Sequence, residues 1–432
     1  MKEQKKSLSG GQIAILCLLA LVAVLLIVLI VVMVRNAPGK AAATAETTET
    51  IETAEETAEE PLLTVNEEEV SSELPAGVAL QCGTRQLTAT DLNYHYWDIF
   101  MSMVNNYGDA ITDYFDPTVP LEDQVYDESS GTTWADYMMN AAVSTAIQVS
   151  AFANAADEAG FTMPAAYQSD LDALIEDYRT LVAEQGYEDL TAYLQDTYGP
   201  EATEESYLAY QTDYYLATAY SDSVYDAQTV TAEEIEAYYD ENAETLAAYG
   251  IEKDDTPMVS LRHILVIPED TEDEASWSSA EASANEIYAL WQEEPTEENF
   301  ARLAEEYSQD TGSTGNGGDW TEAFNGGLYT DVYNGSMDET FTAWLFDSAR
   351  NPGDVGVMRT GYGWSLLYYV TAQDQAYWQY TVENELLYER YQEAADEIYA
   401  AWPYLFDQEA FVVNIPAGLY DSAEETTEQT AS

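Results

Sequence analysis

Positive charge is scarce in this chain. Of 432 residues only 13 are Lys or Arg, against 81 Asp or Glu, for a formal net charge of −68. Five of the bases, Lys2, Lys5, Lys6, Arg35 and Lys40, lie in the N-terminal stretch beside a single acid, Glu3, so the rest is more acidic still. Such a body repels phosphate backbones, which excludes nucleic acid as a partner, and it is poorly attracted to anionic lipid head groups. Cysteine is nearly absent: Cys17 and Cys82 are too few for a disulfide-stapled scaffold or a Cys-rich zinc site. Histidine is equally rare, with only His95 and His263, which removes His-rich metal centres and mechanisms needing three imidazoles. Apolar residues, by contrast, are plentiful. At 46% hydrophobic and 12% aromatic the chain can build large cores, so wholesale disorder is excluded. Its length allows roughly two to four domains.

One long apolar run, Ile13–Val34, carries neither charge nor proline. As a helix it spans roughly 33 Å at about 1.5 Å per residue, enough for the hydrocarbon core of a bilayer. Lys2, Lys5 and Lys6 precede it and acids follow, which predicts a cytoplasmic N-terminus (1–11), an anchor (12–34) and an extracytoplasmic remainder. A cleaved signal peptide competes, but its apolar core is normally shorter, and Ala43-Thr44-Ala45 lies well beyond the run. Cys17 sits early in the apolar run and reads as a small apolar residue of the membrane helix. Residues 35–77, rich in Ala, Thr and Glu, read as an acidic, solvated, disordered tether. Glu67, Glu68 and Glu69 within it read as a solvated face before a weak cation site.

From residue 78 the composition becomes globular. Val78–Cys82 predicts a short strand with a return at Gln86–Thr88. Thr90 and Asp91 offer caps for a helix through Tyr94, Trp97 and Met103. Helices are expected at about 133–159, 164–185, 188–197 and 202–226, and another opens at Thr231 with Glu234 completing a capping box. The pattern then switches. Val259–Ile267 is nearly continuous in apolar residues, as a buried strand is. Helices at about 275–292 and 297–307 follow, then a turn-rich loop and a Gly-rich insertion through Gly335, with Phe324–Gly335 taken as loop. A short helix at 338–348 and strands Val355–Arg359 and Trp364–Val370 close an α+β module of roughly 115 residues. Gln373–Ala401 is again helical, Phe411–Val413 reads as a last strand, and 419–432 as an acidic disordered tail.

The middle module resembles a parvulin-type (rotamase) peptidyl-prolyl isomerase. The resemblance is carried by Arg262-His263-Ile264-Leu265-Val266, Asn299–Ala304, Tyr307-Ser308-Gln309-Asp310, Gly317-Gly318-Asp319-Trp320, Met337…Phe341…Phe346 and Thr360-Gly361-Tyr362-Gly363, in that order. The flanks, Val78–Gly83 with its helix and Val230–Ile235 with Tyr238-Tyr239, look like PrsA- and SurA-like extracytoplasmic foldases. The resemblance implies a mainly helical chaperone domain (78–255, completed by 373–418) with an α+β parvulin-like domain (256–372) inserted. It also implies binding of unfolded, translocated polypeptides and isomerisation of their X-Pro bonds.

Rotation about a peptide bond faces a barrier of about 18–20 kcal/mol, and X-Pro exchange is slow enough to limit folding. Catalysis calls for no nucleophile, metal or cofactor, only a greasy slot for the ring and polar groups matched to the twisted amide. By the resemblance, Trp320, Met337, Phe341 and Phe346 line that slot, and His263, Asp310, Thr360 and Ser365 are the polar set. Taken alone, the aromatics are equally ordinary core, and Asp310 a turn-capping residue. One departure stands out: Ser365 follows Gly363-Trp364 where the family carries a second His. Serine keeps a hydrogen bond but not an imidazole's reach. The sequence therefore leaves a second reading open, a non-enzymatic chaperone with a degenerate parvulin domain, and a remoter one, an adhesive or wall-associated surface protein.

Overall fold

A computed structural model describes residues 74–310, 326–416 and 419–420. The expected anchor at 12–34, nearly all of the linker and the tail from 421 lie outside the described residues. Among the described residues no helix is long and apolar enough to cross a membrane. Helices and sheets are mixed, and the chain divides into two compact units: the chain up to Ala227 with residues from Tyr391 onward, and Gln228–Arg390.

In the first unit, Leu80–Cys82 (β1) pairs antiparallel with Arg85–Leu87 (β2) and with Tyr404–Phe406 (β9), Leu80 facing both Leu87 and Phe406. The last strand is thus 404–406. Phe411–Val413 is irregular, because side chains satisfy the backbone beside it: the Asn93 amide donates to the Val412 carbonyl at 2.9 Å and the Trp97 indole to that of Asn414 at 2.8 Å. Ala89–Tyr107 (α1) starts earlier than its expected caps. Thr88 accepts from the Asp91 N–H, and Asp91 accepts from the Thr88 N–H, a closed capping box. From Leu92 to Ser102 every residue of α1 is buried, as befits a central helix. A hairpin, Val125–Asp127 (β3) and Thr132–Thr133 (β4), leads into Trp134–Ala159 (α2). Ala165–Glu184 (α3), Leu190–Tyr198 (α4) and Glu204–Asp226 (α5) follow, and α1 and α5 pack on α2. Cys82 is wholly buried in this core, where burial pushes its thiol up to about 12.

Tyrosine fills much of that core. The Tyr94 ring meets those of Tyr198, Tyr207 and Tyr210 at 4.8, 5.2 and 5.2 Å. Asp98 sits among them, accepting from the Tyr210 hydroxyl at 2.5 Å. Burial pushes its carboxyl up to about 7 against the lowering effect of that hydrogen bond. A carboxyl whose folded pKa lies above its unfolded one holds its proton better when folded, so stability falls as pH rises between the two values and the cost is complete above the higher. Thermal melts from pH 4 to 8 should show this loss in the native chain. Asp98→Asn should flatten the profile and raise the midpoint at pH 8 by a few degrees, each ~1 kcal/mol shifting it by about 2–4 °C. His95, the other histidine of the chain, is buried on α1 against Tyr210, and burial pulls its imidazole down to about 3.

The second unit opens with Ala232–Ala248 (α6), capped by the expected box of Thr231 and Glu234. Pro257–Val266 (β5) follows, then Glu274–Glu293 (α7) and Glu297–Tyr307 (α8). The stretch expected as a loop contains a strand, Leu328–Val332 (β6), which pairs along the edge of β5 with Leu261 opposite Tyr329. Glu339–Leu345 (α9), Val355–Arg359 (β7) and Trp364–Ala376 (β8) complete an antiparallel sheet in the order β6-β5-β8-β7. Strand β8 runs on to Ala376, so Tyr377–Ala401 (α10) begins later than expected.

Both faces of this sheet are covered, which is why β5 is apolar almost throughout. Ile264, Val266 and Leu366 pack under Ala284, Ile287, Phe300 and Leu303 of α7 and α8. Val259, Leu261 and Leu367 pack against Phe341 and Leu345 of α9. A separate cluster joins Ile235 and Tyr239 of α6 to Ala376 of β8 and to Trp378 and Val382 of α10. This packing keeps α6 and the start of α10 with the sheet, so the compact unit extends beyond 256–372 at both ends.

Candidate functional site

Side chains two apart on a strand share a face. His263 and Leu265 of β5 therefore lie beside Leu367 and Ser365, their partners on β8, and Met358 of β7 lies opposite Ser365. His263 Nε2 is 3.0 Å from the Ser365 hydroxyl, which is wholly buried. On the other side His263 Nδ1 is 2.7 Å from Asp310 Oδ2.

Asp310 is held there by the two residues before it. The Leu265 N–H donates to the Ser308 hydroxyl at 3.1 Å, the Gln309 N–H to the Leu265 carbonyl at 2.8 Å, and the Ile267 N–H to the Gln309 side chain at 2.7 Å. The Ser-Gln pair thus laces the end of α8 to β5 and aims the carboxylate at the imidazole. An ionised carboxylate only accepts, so Nδ1 carries the proton; in the neutral ring Nε2 then accepts from Ser365. Asp310 and Ser365 together determine one tautomer and one ring orientation.

Tyr329 is one residue that sequence reasoning missed. Its hydroxyl donates to Asp310 Oδ2 at 2.7 Å, so phenol and imidazole share one carboxylate oxygen. Burial, and then the bond to Asp310, push its phenol well above the ordinary range. The signal was present in the β-prone Leu328-Tyr329-Thr330-Asp331-Val332, but the preceding glycines made the whole segment read as loop. Those glycines are structural. A Cβ on Gly327, at φ +70°, would lie 2.3 Å from the His263 carbonyl oxygen, and one on Gly326 would lie 2.5 Å from the Ala301 Cβ. The Gly327 carbonyl in turn accepts from the His263 N–H at 2.8 Å. Gly317, Gly318 and Trp320 lie outside the described residues.

The apolar half of the site is built around Phe341. Its ring meets His263 edge to face at 5.2 Å. Met337, Phe346, Tyr329, Trp344 and Met358 pack in the same cluster, half-buried where Phe341 is buried. Trp344 and Met358 were not expected here. The Trp344 indole lies so close over Gly356 that a Cβ there would come within 2.6 Å, and the Arg350 guanidinium sits 4.0 Å from the Trp344 ring. Thr360 is placed differently from its expected role. Its hydroxyl accepts from the Tyr362 N–H and donates to the Gly363 carbonyl, both at 3.2 Å, and so shapes the turn between β7 and β8 without joining the His263 set. Among the described residues no group of three or more His, Cys, Asp or Glu side chains is placed to hold a metal ion.

The arrangement is a half-buried apolar surface with one oriented imidazole at its floor. That combination suits binding and polarising a neutral, ring-bearing group without forming a covalent bond. Residues 246–374 match the family model of the PPIC-type PPIASE domain. No curated protein matches. Solved structures similar to this chain include PrsA from Bacillus subtilis (20% identity, 64% of this chain and 91% of that chain, TM-score 0.31). PrsA from Bacillus anthracis is also similar (15%, 59% and 93%, TM-score 0.21), as is a SurA-like chaperone structure from Campylobacter jejuni (21%, 52% and 80%, TM-score 0.20). The matched segment includes the strand that bears His263, and residues 246–374 are similar to the PPIC-type PPIASE domain.

Proposed function

We propose that the protein is a membrane-anchored extracytoplasmic foldase that binds unfolded polypeptides and isomerises their X-Pro bonds. The observation that carries this reading is the single oriented imidazole of His263, set between Asp310 and Ser365 against the edge of the Phe341 ring. A prolyl ring lodged among Met337, Phe341, Phe346 and Met358 leaves water, and the amide loses the hydrogen bonds that favour its planar form. The imidazole and its partners then meet the twisted amide with dipoles already in place, at no cost of reorganisation. No nucleophile is needed, because no bond to the amide is made or broken.

The wholly buried Ser365 bears on the competing, binding-only reading. Its hydroxyl satisfies the Nε2 of His263, so the polar set stays closed without a second imidazole. The test is an X-Pro isomerisation assay on the full chain. Ser365→Ala leaves Nε2 unpaired and should lower the rate by about 5- to 150-fold, the equivalent of roughly 1–3 kcal/mol. Tyr329→Phe removes one of two donors to Asp310 and should cost less, about tenfold at most. If the native protein gives no rate above the uncatalysed one, the domain serves binding alone.

The anchor is part of the same proposal and rests on Ile13–Val34 and its flanking lysines. Protease added outside intact cells should leave a membrane fragment of about 4 kDa, roughly 35 residues. Full protection, or release of a soluble form without protease, would count against it.

A further inference from the structure

The first unit carries an exposed aromatic face. Tyr107 at the end of α1 and Tyr114 beyond it are 37% and 50% exposed, and their rings lie 4.7 Å apart. Val125 and Tyr126 of β3 are 57% and 48% exposed. Tyr126 stacks on Tyr137 of α2 at 4.6 Å and meets Trp134 edge-on at 4.9 Å. The two groups are neighbours: Phe115, next to Tyr114, meets the Trp134 ring at 4.9 Å, and Trp134 in turn meets Tyr126 and Tyr137 at 4.9 and 5.3 Å. Large apolar side chains of this size, stacked yet open to water, mark interaction surfaces in soluble domains.

The charge around this face has one sign. Asp113, Asp116, Glu122, Asp123, Glu128 and Asp136 are all exposed on the segments that carry the rings. Between Arg85 and Arg179 the chain has no Lys or Arg, so nothing on these segments neutralises them. Aromatic faces attract cations through their quadrupole, and an acidic rim adds long-range attraction for positive charge. Nucleic acid and anionic lipid would be repelled, and two copies meeting here would set acid against acid.

We propose that the face formed by Tyr107, Tyr114, Val125, Tyr126 and Tyr137 docks an extended, cationic segment of an unfolded polypeptide, with Lys or Arg over the rings and apolar side chains against Val125. The inference rests on the foldase reading only in taking the partner to be unfolded; the surface and its charge preference stand apart from the isomerase site. Side chains that alternate along an extended chain can present an apolar residue and a cation in turn, which a folded surface does less readily.

The experiment measures binding of two fluorescent peptides to the full chain by anisotropy, one alternating Lys with Leu and one with Glu in place of Lys. The Lys peptide should bind at least about tenfold more tightly, and its affinity should fall as salt is raised. Tyr114→Ser with Tyr126→Ser should weaken the Lys peptide by about tenfold. The circular dichroism spectrum and the isomerisation of a short X-Pro peptide should be unchanged in that variant. Equal binding of both peptides, or a double variant that binds like the native chain, overturns the proposal. So does self-association that the two substitutions abolish. Failure of isomerisation in the native chain with Lys-peptide binding intact would sink the catalytic reading and leave this surface standing.

Discussion

Phe341→Ala should bring X-Pro isomerisation close to the uncatalysed rate. The ring is 9% exposed, packs with Leu345, Leu367 and Val332, and presents its edge to His263. It therefore serves the core and the proposed slot at once. Truncating a buried Phe costs about 3–5 kcal/mol, and within a slot that must desolvate the amide most of that falls on catalysis. A single-turnover assay read beside a thermal melt separates the two, since the midpoint reports the core alone. His263→Ala should hurt less than Phe341→Ala, because it removes one polar contact and leaves the hydrophobic seat. Isomerisation unimpaired by Phe341→Ala in a folded protein would show that the proline ring binds elsewhere.

The second large effect is expected from one methyl group far less conspicuous. Gly327→Ala should destabilise the second unit by roughly 3–4 kcal/mol and reduce isomerisation in step. Its φ of +70° is costly for any residue with a Cβ, and that Cβ would lie 2.3 Å from the carbonyl oxygen of His263. Backbone cannot yield as a side-chain tip can, so β6 would have to lift away from β5. Lifting it withdraws Tyr329 from Asp310 and loosens the carboxylate that orients the imidazole. Denaturant titration and the isomerisation rate, measured on the same sample, check both consequences. Gly335→Ala is the control: Gly335 also has positive φ, but no atom would meet its Cβ, so only the smaller backbone cost should appear.

Much of the architecture was legible because it is local. The strand at 257–266 announces itself by its apolar run, and the helix at 232–248 by the Thr231–Glu234 box, whose hydrogen bonds span three residues. The cap of α1 was misjudged by two positions because Thr88, Thr90 and Asp91 all offer suitable oxygens. Only the bond actually closed, Thr88 with Asp91, decides between them. The strands β6 and β9 were missed for a different reason. Both are short and glycine- or proline-flanked, and each exists because a partner strand, β5 or β1, offers unpaired backbone groups. No local pattern records that offer.

For the site, the residue types and their order along the chain were sufficient to bring His263, Asp310, Ser365, Met337, Phe341 and Phe346 to notice. Their grouping needed the sheet. A register of β5 against β8 that sets Leu265 opposite Ser365 is what carries the serine hydroxyl to His263 Nε2, and a slip of one residue would turn it to the helical face. Tyr329 enters the set only through edge pairing across more than sixty residues of chain, and Thr360 leaves it because its own turn supplies closer partners. Composition by itself determined the acidity of the chain. Which tyrosines stay open to water and which enclose Asp98 was decided by packing, since hydrophobic burial depends on neighbours that only the folded chain assembles.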